Sequence, residues 1–220
     1  MPYQLPRQFV EDAFASKSLP HPNGTVSMKV VDVGELVVTS QSIVATDPIV
    51  VSMLKPFSQW VPNGRHRVSL AIAGFGTDER IAFARVQFSR QSAVAWKLAV
   101  TDDQDPATLG PGRFFGYGVD GATGCFMDYA AGALMGQRYQ EEGPYFAFGD
   151  LITDAMEASY QDTRQWGVVH PIEGREENII CFTTGSGDGA YPSFFGFAAD
   201  GAVAQLVTDF MLFAGEGEGS

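Results

Sequence analysis

Residues 65–88 read RHRVSLAIAGFGTDERIAFARVQF, and the period of that stretch decides the fold class. In its first half Val68, Leu70 and Ile72 fall on one side of an extended chain, with Arg67 and Ser69 on the other. From Arg80 to Phe88, Ala82, Ala84, Val86 and Phe88 oppose Ile81, Phe83, Arg85 and Gln87. The segment between them, Gly74 to Glu79, is short and contains glycine, so the two halves form an antiparallel hairpin. Upstream, Val26 to Val30 alternates in the same way, Gly34 to Thr39 and Ile43 to Thr46 are further strands, and Asp47-Pro48 leads into a strand at Ile49-Val50-Val51. Downstream, Ala93 to Val100 places Val94, Trp96, Leu98 and Val100 on one side and supplies a neighbouring strand.

Past a polar loop from Asp102 to Gly112, Phe114 to Val119 reads as a strand, and two segments have helical spacing. Asp128 to Arg138 is Ala-rich with Asp128 placed to cap it, and Phe148 to Tyr160 carries Leu151, Ile152, Ala155 and Met156 behind Asp150. Strands return at Gly167 to Val169, Asn178 to Thr184, Tyr191 to Phe197 and Ala202 to Phe210, with Asp200-Gly201 predicting a type I′ hairpin turn. The expected fold is α+β and mainly β, a largely antiparallel sheet or sandwich with about two peripheral helices. Residues 1–25 read as an N-terminal extension, 26–213 as one globular domain, and 214–220, where Gly alternates with Glu, as a disordered tail.

With 14 Lys+Arg against 26 Asp+Glu, the chain of 220 residues carries a formal charge of −12. That balance excludes nucleic acid, whose phosphates demand clustered cations, and it disfavours an anionic membrane surface. No stretch reaches the ~20 apolar residues of a spanning helix. Met1 to Gly24 has no continuous apolar core, so no secretory signal is expected and the location is cytoplasmic. Cys125 and Cys181 sit in apolar runs and read as buried thiols.

Chemical motifs are few. Gly185-Ser186-Gly187-Asp188-Gly189-Ala190 matches a dinucleotide fingerprint in form, but Tyr191-Pro192-Ser193-Phe194 after it is extended, where the pyrophosphate needs a helix N-terminus. A nucleophile elbow would need Gly where Thr184 stands. His21, His66 and His170 are isolated, without zinc-ligand spacing, and Asp102-Asp103-Gln104-Asp105 misplaces the glycine and glutamate of a calcium loop. There remain Asp47, Asp120, Asp128, Asp188, Asp200 and Asp209, most of them turn formers. Asp188 and Asp209 are the catalytic candidates, and Asp120, Asp188 and Asp209 would hold Mg²⁺ or Ca²⁺ if they converged. Gly187, Asp188, Gly189 and Tyr191 are the candidate ligand-binding loop.

Several segments together carry a family resemblance: Gly34 to Val38 with Ala45-Thr46-Asp47-Pro48, Val61 to Gly64, Arg80 to Val86, Gly116 to Asp120, Gly187 to Pro192, and Asp200-Gly201 to Thr208-Asp209-Phe210. From about Val30 to Phe210 the chain resembles a bacterial family of uncharacterised proteins, domain of unknown function 4241. The resemblance implies a single domain and a bacterial cytosolic origin, and it transfers no activity. Charge and the failure of the catalytic patterns favour a binding protein, of the immunity or antitoxin kind, that engages a basic protein partner. The alternative is an aspartate-based, divalent-metal-dependent hydrolase, and a module binding a small ligand near Gly185 to Tyr191 is a third reading. No cofactor is required by any motif.

Overall fold

In the computed structural model, residues 1–22, 24–50, 54–142 and 149–213 are described; the expected tail at 214–220 lies outside them. In chain order the elements are α1 (Arg7–Phe14), β1 (Leu19–His21), β2 (Gly24–Val38), β3 (Ile43–Thr46), β4 (Gly64–Phe75), β5 (Asp78–Gln87), β6 (Ala95–Leu98), β7 (Tyr117–Val119), β8 (Thr123–Asp128), α2 (Tyr129–Glu142), α3 (Asp150–Glu157), β9 (Trp166–Val169), β10 (Ile179–Thr183), β11 (Gly189–Tyr191), β12 (Ser193–Phe197) and β13 (Val203–Asp209). The hairpin read from residues 65–88 is β4–β5, at the centre of a seven-stranded antiparallel sheet ordered β1-β2-β4-β5-β13-β12-β6. That sheet curls into a half-barrel. A second sheet, β3-β8-β10-β9, stacks on it, and β7 and β11 form a separate ribbon.

Strand alternation distributes side chains into three cores. Val68, Leu70, Ile72, Phe195 and Leu206 of the large sheet meet Ile43, Phe126, Ile180 and Phe182 of the small one. Phe126, Phe182 and Phe195 are almost completely buried there, and each contributes on the order of 1.5–3 kcal/mol. On the outer face of the large sheet Ala71, Ala73 and Ala82 are small enough for α1 to approach, and Tyr3, Leu5, Val10 and Ala13 pack there around Phe83. Residues 1–22 are therefore part of the packed body. Under the small sheet Val44, Cys125, Met127 and Cys181 meet Met135 of α2 and Ile152 and Met156 of α3. The order of layers is α1, large sheet, small sheet, then α2 and α3.

Both expected helices form. Asp128 is fully buried and its Oδ1 accepts from the Ala130 amide at 2.8 Å, which fixes the start of α2. Four local readings change. A register shift between Ala71 and Ile72 of β4, opposite Phe83 and Ile81, leaves Ala82 unpaired in the ladder, so Ile81 joins the inter-sheet core with Ala84 and Val86 while Ala82 turns outward with Phe83. Of the strand expected at Ile49-Val50-Val51, Val51 lies outside the described residues, and Ile49 and Val50 lie in and beyond a turn held by the Val50 amide on the Asp47 carbonyl at 3.1 Å. The strand read at 191–197 is broken at Pro192, which cannot donate to a ladder, into β11 and β12. Finally, Asp200-Gly201 is not a two-residue type I′ turn. The Ala198 amide donates to the Ala202 carbonyl at 2.9 Å, and only Gly201 takes a positive φ, +84°, so the loop has three residues.

Candidate functional site

The glycine-rich loop after β10 is tied by its own groups. Thr184 Oγ1 donates to the Gly187 carbonyl at 2.7 Å, Tyr191 Oη donates to the same carbonyl at 2.6 Å, and the Gly187 amide donates to Thr184 O at 2.6 Å. Asp188 Oδ1 accepts from the Ala122 amide at 2.8 Å, bracing the loop against the turn before β8. The chain then enters β11 rather than a helix, so the amides that would cradle a pyrophosphate are absent at this point. Gly187, Asp188 and Gly189 thus make a braced turn, and of the four expected ligand-binding residues Tyr191 lines one cleft and Gly187 a different one, beside Arg164 and Thr184.

The candidate aspartates do not converge. Asp120 is exposed and its amide donates to Asp47 Oδ2 at 3.0 Å, while Asp47 Oδ1 caps the Ile49 amide at 2.9 Å. Asp128 binds the Thr39 and Ser40 amides through Oδ2, each at 2.9 Å, and Asp200 accepts from Gln91 Nε2 and the Ala202 amide at 3.0 Å each. Asp209 is buried under the N-terminal segment, with Tyr3 Oη donating to Oδ2 at 2.7 Å and the Met211 amide to Oδ1 at 2.8 Å. Burial pushes its carboxyl up to about 6, against the pull of the Tyr3 and Met211 donors. Among the described residues no group of three or more His, Cys, Asp or Glu could hold a metal ion. Asp120, Asp188 and Asp209, which would hold Mg²⁺ or Ca²⁺ if they converged, form no such group among the described residues: the Asp188 and Asp209 carboxylates accept from Ala122 and from Tyr3 and Met211, and Asp120 engages Asp47 through its amide.

The cleft that Tyr191 lines has a volume of about 200 Å³ and is shared by Thr46 of β3, Phe57, Tyr117 and Ser193. The Tyr117 hydroxyl is buried beside Thr208, whose own hydroxyl is shared with Ser193 at 2.7 Å, and burial raises the phenol well above its ordinary pKa. Burial raises Tyr191 as well. The charged residues of the cleft, Lys55 and Asp103, neutralise one another at 2.6 Å, and the Lys55 ammonium holds Asp103 down at about 2.

Charge is unevenly spent over the surface. Among the described residues, every cation except Arg85, Arg90, Lys97 and Arg113 has an ion-pair partner. On the helical layer Arg138 is engaged by Glu142 and Arg164 by Glu79, whereas Glu141, Asp150, Asp154, Glu157 and Asp162 have no ion pair among the described residues. Asp150, Asp154 and Glu157 stand at i, i+4 and i+7 on α3, opposite buried Ile152 and Met156. Leu151 (40% exposed) and Tyr160 (56%) lie on the same stretch. The sequence reading placed Asp150 at the start of this helix and passed over Asp154 and Glu157, although their spacing from Asp150 was the signal.

The model of one family, described as protein of unknown function (DUF4241), matches residues 36–208. No curated protein and no solved structure matches the chain. Among the described residues no helix is long and apolar enough to cross a membrane.

Proposed function

From the premise that the chain belongs to the family of protein of unknown function (DUF4241), which brings no activity with it, we propose a non-catalytic binding protein that engages a basic protein partner through the outward face of α3. The observation that carries the reading is the row of acids without ion pairs, Asp150, Asp154 and Glu157, beside exposed Leu151 and Tyr160. Tyrosine and leucine supply apolar anchor area, and the acids around them steer a cationic surface and set its orientation. Neutralising a basic toxin domain in the cytoplasm is the form such an activity would take. The hydrolase alternative draws no support from the site, because Asp188 and Asp209 are separately committed to Ala122 and Tyr3.

The test uses a labelled basic amphipathic peptide as the probe. Its association should slow markedly as the Debye length falls from about 30 Å at 0.01 M salt to about 8 Å at 0.15 M. Asp150→Lys with Asp154→Lys should abolish binding, while Asp102→Lys with Asp105→Lys, the same change in net charge elsewhere, should leave most of it. Equal losses in the two pairs would reduce the effect to bulk charge and refute the site. Metal-dependent turnover lost in a folded Asp188→Asn variant would refute the whole reading.

A further inference from the structure

The opposite face of the molecule holds a different kind of group. Arg85 stands near the middle of β5, paired with Ser69 of β4 and Val207 of β13, and its side chain lies on the α1 side of the large sheet. Its guanidinium carbon sits 3.9 Å from the centroid of the Phe14 ring, so an aromatic from the last turn of α1 covers one face of the planar group. Its Nε is buried without an acceptor, and none of its nitrogens bonds to a described residue. An arginine carries five donors and keeps its charge at neutral pH, so a half-buried guanidinium whose Nε is buried without an acceptor among the described residues is a cost that packing alone does not explain. Burial, with the nearby charge of Arg67, pushes it down to about 10, far too high to lose the proton at neutral pH.

The guanidinium lines a cavity of about 480 Å³ between α1 and the sheet, within the size range of small-molecule sites. Arg7 and Arg90 line it too, and the single carboxylate there, Glu11, is taken by Arg7 at 2.8 Å. Two positive charges are left over, in a chain whose formal charge is −12. Gln87 and Gln205, direct partners in the β5–β13 ladder, add amides on the same side.

We infer that this cavity binds a small polar dianion, a phosphate monoester or a dicarboxylate, with the Arg85 guanidinium as its bidentate anchor and Arg90 completing the charge. Phe14 holds the fork in one plane, the arrangement that favours bidentate recognition of carboxylate or phosphate over a point charge. The glutamines meet the uncharged part of the ligand.

Thermal unfolding and calorimetric titration with inorganic phosphate and, separately, malonate test the site at constant ionic strength made up with chloride. At least one anion should bind the wild type at millimolar concentration and raise its melting temperature; which one does so tells phosphate from dicarboxylate chemistry. Arg85→Met should weaken binding about tenfold or more, and without anion it should melt no lower than the wild type, since a structural arginine would be missed and an unpaired one would not. Arg85→Lys, which keeps charge but loses the fork, should fold and bind more weakly than the wild type. Lys97→Met removes the same charge elsewhere and should bind normally. Equal binding by wild type and Arg85→Met, no binding of either anion, or a marked loss of stability in anion-free Arg85→Met would overturn the assignment.

Discussion

Asp209→Asn should stabilise this protein, and by an amount that depends on pH. The carboxyl rises from its ordinary value of 3.8 to about 6 on folding, so the folded state disfavours its ionised form by about 3 kcal/mol at 1.36 kcal/mol per pKa unit. The sign is that of a raised acid: the native state is undisturbed by this group below pH 3.8 and loses stability as pH rises through 6. Linkage gives a cost of about 1 kcal/mol near pH 4.5 and about 3 kcal/mol at pH 8. An amide of the same shape can accept from the Met211 amide and donate to the Tyr3 hydroxyl, which turns from donor to acceptor, so both contacts survive. Urea unfolding of the two proteins at both pH values isolates the effect as a difference. His66, whose charged form burial disfavours, is present in both and cancels. Asp209→Asn should gain about 2 kcal/mol more at pH 8 than at pH 4.5. A variant less stable than wild type at pH 8, or a gain independent of pH, would refute the reasoning.

Two glycines give stability tests that differ in cause. Gly201→Val places a β-branched residue at φ +84° with open space around it, so strain alone should cost about 1–2 kcal/mol or more, seen as a lower denaturation midpoint with unchanged slope. Gly167→Ala drives a methyl into the Ala155 carbonyl of α3, so it should cost about 1–3 kcal/mol through overpacking. Gly118→Ala, with nothing within 4 Å of the added carbon, is its neutral control.

What the sequence revealed and what it concealed divide along the range of the interactions. The period of residues 65–88 and the cap at Asp128 are local, and both are visible in the structure as read. The bulge at Ala82 is a two-against-one mismatch with β4, and no property of β5 alone announces it. Helix α1 has only 8 residues, too few to be stable in isolation, and exists because Ala71, Ala73 and Ala82 leave room for it on the sheet. At the candidate site the turn chemistry of Gly185 to Gly189 was legible, but the work of Asp209 was not, because its partner Tyr3 is 206 residues away. Arg85 looked like one polar residue in an alternating strand. Only the assembled layers reveal that its buried Nε meets no acceptor among the described residues.

The place of β13 in the large sheet governs the order in which the chain can fold. The last described strand pairs with β5 on one side and β12 on the other, in the sheet's interior, so β12 and β6 join β5 only through it. A ribosome-bound chain that has emerged as far as β5 therefore presents a bare strand edge, and that edge waits for more than a hundred further residues, Phe88 to Ala202, before it is covered. Pairings of such sequence separation carry a heavy loop-closure cost and are slow to form. Meanwhile an uncovered edge is a template for another chain. Productive folding is thus a race between insertion of β13 and intermolecular pairing at β5, and its outcome depends on chain concentration as well as on the stability of the finished sheet.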